Sequence, residues 1–225
     1  ESDLAEMMNL GGDERIYPAS MTKIMTALLT IENLPDLNET ITVPEDIFEE
    51  LTAQDASVAG FNPYEQPTVR DLLYGVLLPS GADACETLAR AVGGSEEGFV
   101  AMMNQKAEEL GLTNTHFENC TGLHNDNHYS TCRDIAVLMS ECLKSDTFRE
   151  IVTREVYTTE ATASHPEGIT LYDTMLHRFT SYEMSTTLEN GAVIEGGKTG
   201  FTDEAGQCLV SFAEYGGEEY ILVTA

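Results

Sequence analysis

The period of the apolar residues changes once along this chain, and that change limits the folds open to it. Between residues 20 and 143 apolar side chains return at helical spacing, whereas near the C-terminus they fall in short β-rich runs. Met21, Ile24, Met25, Leu28 and Leu29 occupy i, i+3, i+4, i+7 and i+8, the stripe of a buried helix. Thr68 is placed to cap a second helix carrying Val69, Leu72, Leu73, Val76 and Leu77, which ends at Pro79-Ser80-Gly81. A third helix is expected over 82–92, stopped by Gly93-Gly94. Ser95 caps a fourth with Phe99, Met102, Met103, Ala107 and Leu110 inward, ending at Gly111. Thr131 with Asp134 gives a capping-box-like start to a fifth that carries Ile135, Leu138, Met139, Cys142 and Leu143. Gln207–Ala213 and Glu219–Thr224 flank Gly216-Gly217 and read as an antiparallel hairpin, while Ala192-Val193-Ile194 leads a strand into Gly196-Gly197-Lys198-Thr199-Gly200. Residues 35–67, with prolines at 35, 44, 63 and 67, read as loops with one short strand at Ile41-Thr42-Val43. Residues 1–19 give no pattern. Helices followed by antiparallel strands, with no repeat or linker, predict a single α+β unit over residues 1–225, its helices segregated to one side of a sheet.

Charge excludes some partners. The 225 residues hold 39 Asp+Glu against 11 Lys+Arg, a formal net charge of −28. A surface this acidic repels phosphate backbones and anionic membranes, so no nucleic-acid partner is expected. At 42% hydrophobic and 22% charged the chain is otherwise an ordinary globular one, long enough to bury a core without metal or disulfide staples. The five cysteines (85, 120, 132, 142 and 208) have neither C-x-x-C nor zinc-finger spacing and are expected as small core residues. No apolar run approaches the roughly 18 residues of a membrane span.

The basic residues point to chemistry. Of only four lysines, two sit in short polar motifs: Ser20-Met21-Thr22-Lys23 and Lys198-Thr199-Gly200. Ser20 and Lys23, three apart, share one helical face beside the apolar stripe. A lysine held there in a desolvated cleft has a lowered pKa, so its neutral amine can take the serine proton. The helix N-terminus offers free N–H groups for a developing oxyanion. Alone, S-x-x-K is far more often a helix cap beside a solvated lysine. Pro79-Ser80-Gly81-Ala82-Asp83 links two apolar helices tightly enough to project a serine into a cleft, and Gly196, Gly197 and Gly200 permit close approach to the strand bearing Lys198. The order S-x-x-K, S-G-x, K-T-G resembles the motif triple of penicillin-binding proteins and class A β-lactamases.

The sequence resembles the serine D-alanyl-D-alanine carboxypeptidases, the low-molecular-mass penicillin-binding proteins. The likeness runs through Tyr17-Pro18-Ala19-Ser20-Met21-Thr22-Lys23-Ile24-Met25-Thr26-Ala27, Leu77-Leu78-Pro79-Ser80-Gly81-Ala82-Asp83-Ala84, Leu110-Gly111-Leu112-Thr113-Asn114-Thr115-His116-Phe117, Gly122-Leu123, His128-Tyr129-Ser130-Thr131, Gly197-Lys198-Thr199-Gly200-Phe201-Thr202 and Ala205-Gly206. It implies a DD-peptidase/β-lactamase-like fold with the active site in the cleft between an antiparallel sheet and a helical region. It also implies that Ser20 is the acylated nucleophile, Lys23 its general base and Ser80 a proton relay. Lys198, Thr199 and Gly200 would bind the substrate's terminal carboxylate, and the N–H groups of Ser20 and Phe201 would form the oxyanion hole. The implied partners are peptidoglycan stem peptides ending in D-Ala-D-Ala, and β-lactams. No cofactor or metal is implied. The implied location is the bacterial cell envelope outside the cytoplasm, with membrane association only through a segment outside this chain.

The chain departs from the family pattern at several places. Position 82 is Ala where an Asn usually orients the lysine and holds a substrate carbonyl, and Cys120 stands where Pro is usual. Residues 1–19 do not look like the two strands that precede the S-x-x-K helix, and the last helix is missing, so a chain trimmed at one or both ends is expected. Two rivals follow: a β-lactamase, for which Glu109 with Leu112 is the nearest deacylating candidate, and a penicillin-binding module weakened by Ala82. His124 and His128 lack the third ligand of a catalytic zinc site.

Overall fold

The computed structural model describes residues 5–225. A 3-10 turn, Ala19–Thr22, runs directly into α1 (Lys23–Asn33). There follow α2 (Ile47–Ala53), α3 (Val69–Leu77), α4 (Ala82–Gly93), α5 (Glu96–Glu109), α6 (Cys132–Cys142) and α7 (Asp146–Val152). The remainder is β1 (Val156–Thr158), β2 (Thr170–Tyr172), α8 (Leu176–Ser181), β3 (Val193–Thr202), β4 (Gly206–Tyr215) and β5 (Glu218–Thr224). All five expected helices and the C-terminal hairpin are present, and the architecture is α+β.

The caps explain where the helices start. Thr68 accepts from Asp71 N at 3.1 Å while the Asp71 carboxylate accepts from Thr68 N at 3.3 Å, a full capping box. At α6 the box is only half made. Thr131 accepts from Asp134 N, but the Asp134 carboxylate turns away to Asn114 N (2.9 Å) and the Thr115 hydroxyl (2.7 Å), tying down the polar loop before the helix.

Helix α1 is the axis of the core. Every residue from Lys23 to Thr30 is buried, and α3, α4, α5, α6 and α7 all pack on it. A helix buried all round needs partners for its polar residues. Thr22, Thr26 and Thr30 form one stripe at i, i+4, i+8. The Thr26 hydroxyl donates to Cys120 O at 2.6 Å and Thr30 donates back to Thr26 O. That stripe binds the 118–128 loop to the helix. Apolar side chains on α3, such as Leu72, Leu73 and Leu77, close the other side and stabilise by roughly 2 kcal/mol each through burial.

The sheet is antiparallel in the order β3-β4-β5, with a bulge between Ile194 and Gly196. Val210 and Phe212 of β4 are buried in the core, and β5 packs on α6. β1 and β2 form a separate hairpin.

Two expectations are corrected. Ile41–Val43 is not a strand: it exchanges backbone hydrogen bonds with Tyr64, Glu65 and Pro67, but only one isolated bridge, Thr40 with Thr68, results. Pro44, Pro63 and Pro67 lack the N–H groups a ladder requires. Ser20 lies in the 3-10 turn rather than on the α-helix itself. The short elements α2, α7, α8, β1 and β2 had no sequence counterpart. Cys85, Cys120, Cys142 and Cys208 are buried, Cys132 is half-buried, and all five are free thiols.

Candidate active site

Ser20 and Lys23 meet at the junction of the 3-10 turn and α1. In a 3-10 turn side chains at i and i+3 eclipse, so the tighter winding brings the two closer than an α-helix would. Lys23 Nζ donates to Ser20 Oγ at 3.0 Å and to Thr121 O at 2.6 Å. The turn is entered through Ala19, whose φ of 47° lies in the left-handed region. Gly122 makes this packing possible: a Cβ there would lie 1.9 Å from Ala19 O. Lys23 is 3% exposed, and burial is the main cause that lowers its pKa from the ordinary lysine value. The acidic neighbours Cys85, Cys120 and Asp83 act against that shift. The result is a lysine biased toward its neutral form with a serine hydroxyl in reach.

Ser80 arrives from the α3–α4 link. It too has a left-handed backbone, φ 65°, which the surroundings enforce. Just after it, the Asp83 carboxylate accepts from the N–H groups of Ala59 (2.7 Å), Gly60 (3.0 Å), Phe61 (3.1 Å) and Ala84 (3.0 Å), tying the 59–61 loop to the link. The loop so held lies over Gly81, where a Cβ would be 2.7 Å from Ala59 N.

Lys198 comes from β3 and completes a second lysine–serine pair. Its Nζ donates to Ser80 Oγ at 3.0 Å and to Thr199 O at 2.9 Å. At 1% exposed it is pushed down to about 7, first by burial and then by the charge of Lys23, while Asp173 and Cys85 pull the other way. Asp173, fixed by the Met175 and Leu176 N–H groups at the start of α8, is pushed up to about 6 by burial. The Thr199 hydroxyl bonds Thr174 Oγ1 at 2.6 Å. At Gly200 the strand approaches the Ser20 turn: a Cβ there would be 3.0 Å from Ser20 N and 3.1 Å from Pro18 O. Phe201 follows, 56% exposed. The chain therefore brings Ser20, Lys23, Ser80, Lys198, Thr199 and Gly200 to one cleft between α1, the α3–α4 link and β3, with Phe201 next in the strand.

Other groups take no part. His128 is buried, with Nδ1 accepting from Glu118 N at 3.0 Å, so Nε2 carries the proton and donates to Thr22 Oγ1 at 2.7 Å. Burial pushes its pKa down to about 3, and both ring nitrogens are used. His124 instead stacks edge-on against Tyr17. Glu86, Glu96 and Cys120 bring three potential ligand atoms within 4.8 Å. Burial, with the adjoining Glu96 next, pushes the Glu86 carboxyl up to about 8. Glu109 pairs with Lys106 and Gln105 along its own helix.

The sequence model of the D-alanyl-D-alanine carboxypeptidases matches residues 7–225. The chain belongs to this family. Among curated relatives, the D-alanyl-D-alanine carboxypeptidase DacF of Bacillus subtilis is 35% identical over 99% of this chain and 54% of its own length. A D-alanyl-D-alanine carboxypeptidase from a Streptomyces species is 36% identical over 93% of this chain and 72% of that protein. The chain thus spans about half the length of the Bacillus protein. The crystal structure of a Streptomyces DD-transpeptidase superposes with a TM-score of 0.84 at 33% identity, covering 97% of this chain and 83% of that one. Penicillin binding protein 5 from Haemophilus influenzae gives 0.82 at 27% identity, over 98% of this chain and 61% of that one. The DD-peptidase fold is therefore the fold of this chain.

Three residues that contact or bias the site side chains carry no signal in the sequence: Thr121, Thr174 and Asp173. Thr121 acts through its carbonyl, which has no residue signature. Thr174 and Asp173 lie in a stretch without periodicity.

Proposed function

We propose that residues 1–225 form one DD-peptidase catalytic domain that removes the terminal D-alanine from peptidoglycan stem peptides through an acyl-Ser20 intermediate. The observation that carries this reading is the coupling of two lysine–serine pairs, Lys23 with Ser20 and Lys198 with Ser80, in one cleft. Neutral Lys23 takes the Ser20 proton as Oγ attacks the carbonyl of the penultimate D-Ala. The Ser20 and Phe201 N–H groups hold the oxyanion, consistent with the approach of Gly200 to Ser20 N. Ser80 passes a proton to the departing D-alanine nitrogen. Water then adds to the acyl carbon, Ser20 leaves with a proton, and the shortened peptide is released. Cationic Lys198 with the Thr199 hydroxyl binds the terminal carboxylate. A β-lactam, whose carboxylate and strained amide present the same pattern, acylates Ser20 in place of the peptide.

A second reading, transfer of the acyl group to an amine, is motivated by the name DD-transpeptidase borne by the Streptomyces neighbour. It differs only in the acceptor. The β-lactamase reading lacks support, because Glu109 is engaged along α5. The reaction implies action outside the cytoplasm, at the cell envelope. No helix among the described residues is long and apolar enough to cross a membrane.

Release of D-alanine from a peptide ending in D-Ala-D-Ala tests the reading. Free D-alanine is expected from the wild-type chain and at least about 10³-fold less from Ser20→Ala. Transfer to an added glycine, with little hydrolysis, selects the second reading. Unchanged release from Ser20→Ala refutes both.

A further inference from the structure

Position 82 holds Ala, a side chain unable to orient a lysine, yet no buried side-chain nitrogen or oxygen among the described residues lacks a partner. Lys23 finds its second acceptor in the backbone of the 119–123 turn, at Thr121 O. That turn is organised by one side chain. Asn119 Oδ1 accepts from Gly122 N (2.7 Å), Thr121 N (3.3 Å) and Thr121 Oγ1 (3.2 Å), and Asn119 Nδ2 donates to Leu123 O at 2.9 Å. Four bonds from one amide fix the direction of the Thr121 carbonyl. The turn is also anchored at both ends: Cys120 O receives the Thr26 hydroxyl, and Gly122 packs on Ala19 O beside the nucleophile.

We propose that Asn119 is a positioning residue for Lys23, acting through the Thr121 carbonyl and taking over the orienting task that Ala82 cannot perform. This deepens the proposed function, since it assigns what holds the general base in line with Ser20. Asn119 touches neither substrate nor reacting atoms; its contribution passes through the turn. The titratable and charged groups facing Lys23 are Asp83 and Cys85 on α4, Cys120 on the turn, and Lys198 on β3, with His128 behind. All of these remain in an Asn119 variant, so a change in Lys23 reports on the turn itself.

With only four lysines in the chain, each side-chain ammonium resonance can be followed by NMR and assigned by substitution. In Asn119→Ala the freed turn admits water, and because burial is the main cause that depresses Lys23, its titration midpoint is expected to rise. Lys106 and Lys144 serve as internal references and stay put. In parallel, acylation by labelled penicillin, counted per active site, is expected to slow about tenfold or more with initial binding unchanged within about threefold. Asn119→Asp keeps the three acceptor contacts and is expected to recover most of the rate at the alkaline plateau. A variant that was only unstable would lose active sites without moving the Lys23 midpoint or the rate per site. An unchanged Lys23 midpoint and unchanged acylation in folded Asn119→Ala overturn the proposal. Should the wild-type chain resist penicillin, the functional reading fails, and the Lys23 titration alone decides the positioning role.

Discussion

At the scale of single residues, the site consists of two lysines placed where lysines are costly. Lys198, fully buried and lowered to about 7 from an ordinary value of 10.5, is the sharper case. Between those values the unfolded chain holds a proton that the folded chain releases, so stability rises with pH across that window. Below pH 7 the whole penalty of burying the charge is present, about 1.4 kcal/mol for each tenfold loss of proton affinity on folding. Lys198→Met is therefore expected to raise the melting temperature at pH 6, with the gain fading toward pH 10, while turnover of a D-Ala-D-Ala peptide falls at least about a hundredfold. Thermal melts at the two pH values, alongside D-alanine release, check both halves. A lower melting temperature at pH 6 would mean that Lys198 is a structural cation. Residues of this kind were legible in the sequence because scarcity marks them: two of four lysines fall in the motifs. Thr121 was not, since a main-chain carbonyl can be offered by any residue.

At the scale of elements, what could be read depended on length. Helices α1, α3, α4, α5 and α6 each run nine residues or more, enough turns for a stripe to repeat. The seven-residue α2 and α7, the six-residue α8 and the three-residue strands offer too few positions for a period to stand out. The winding of the first turn was also hidden, because it follows from Ala19's left-handed backbone against Gly122. That contact makes a prediction. Gly122 has φ +84° and no room for a Cβ, so Gly122→Ala is expected to cost about 2 kcal/mol or more and to slow acylation by displacing Ser20. Gly111, with φ +72° but open space around it, provides the contrast: Gly111→Ala is expected to cost about 1 kcal/mol and leave acylation unchanged. Urea titration and penicillin labelling of the two variants separate strain alone from strain that reaches the nucleophile.

At the scale of the whole molecule, the proposed function asks a chain with net charge −28 to bind an anionic peptide. On that proposal the global field repels the substrate and the local cation Lys198 attracts it. Salt screens the distant charges more than the close contact, so the affinity for a D-Ala-D-Ala peptide is expected to improve from low to moderate ionic strength, measured as KM at fixed pH. A steady loss with salt would instead assign the attraction to exposed charges. The order of the motifs anticipated the cleft, but the cleft is a long-range assembly: Lys198 meets Ser80 across 118 positions and Lys23 meets Thr121 across 98. No local pattern encodes those distances. The central claim is that this assembly makes Ser20 a nucleophile activated by Lys23. Intact mass and peptide mapping after incubation with penicillin test it most directly. One covalent adduct per chain is expected, on the peptide containing Ser20, lost in Ser20→Ala and strongly slowed in Lys23→Ala. An adduct on another residue, or none on the folded wild-type chain, would contradict it.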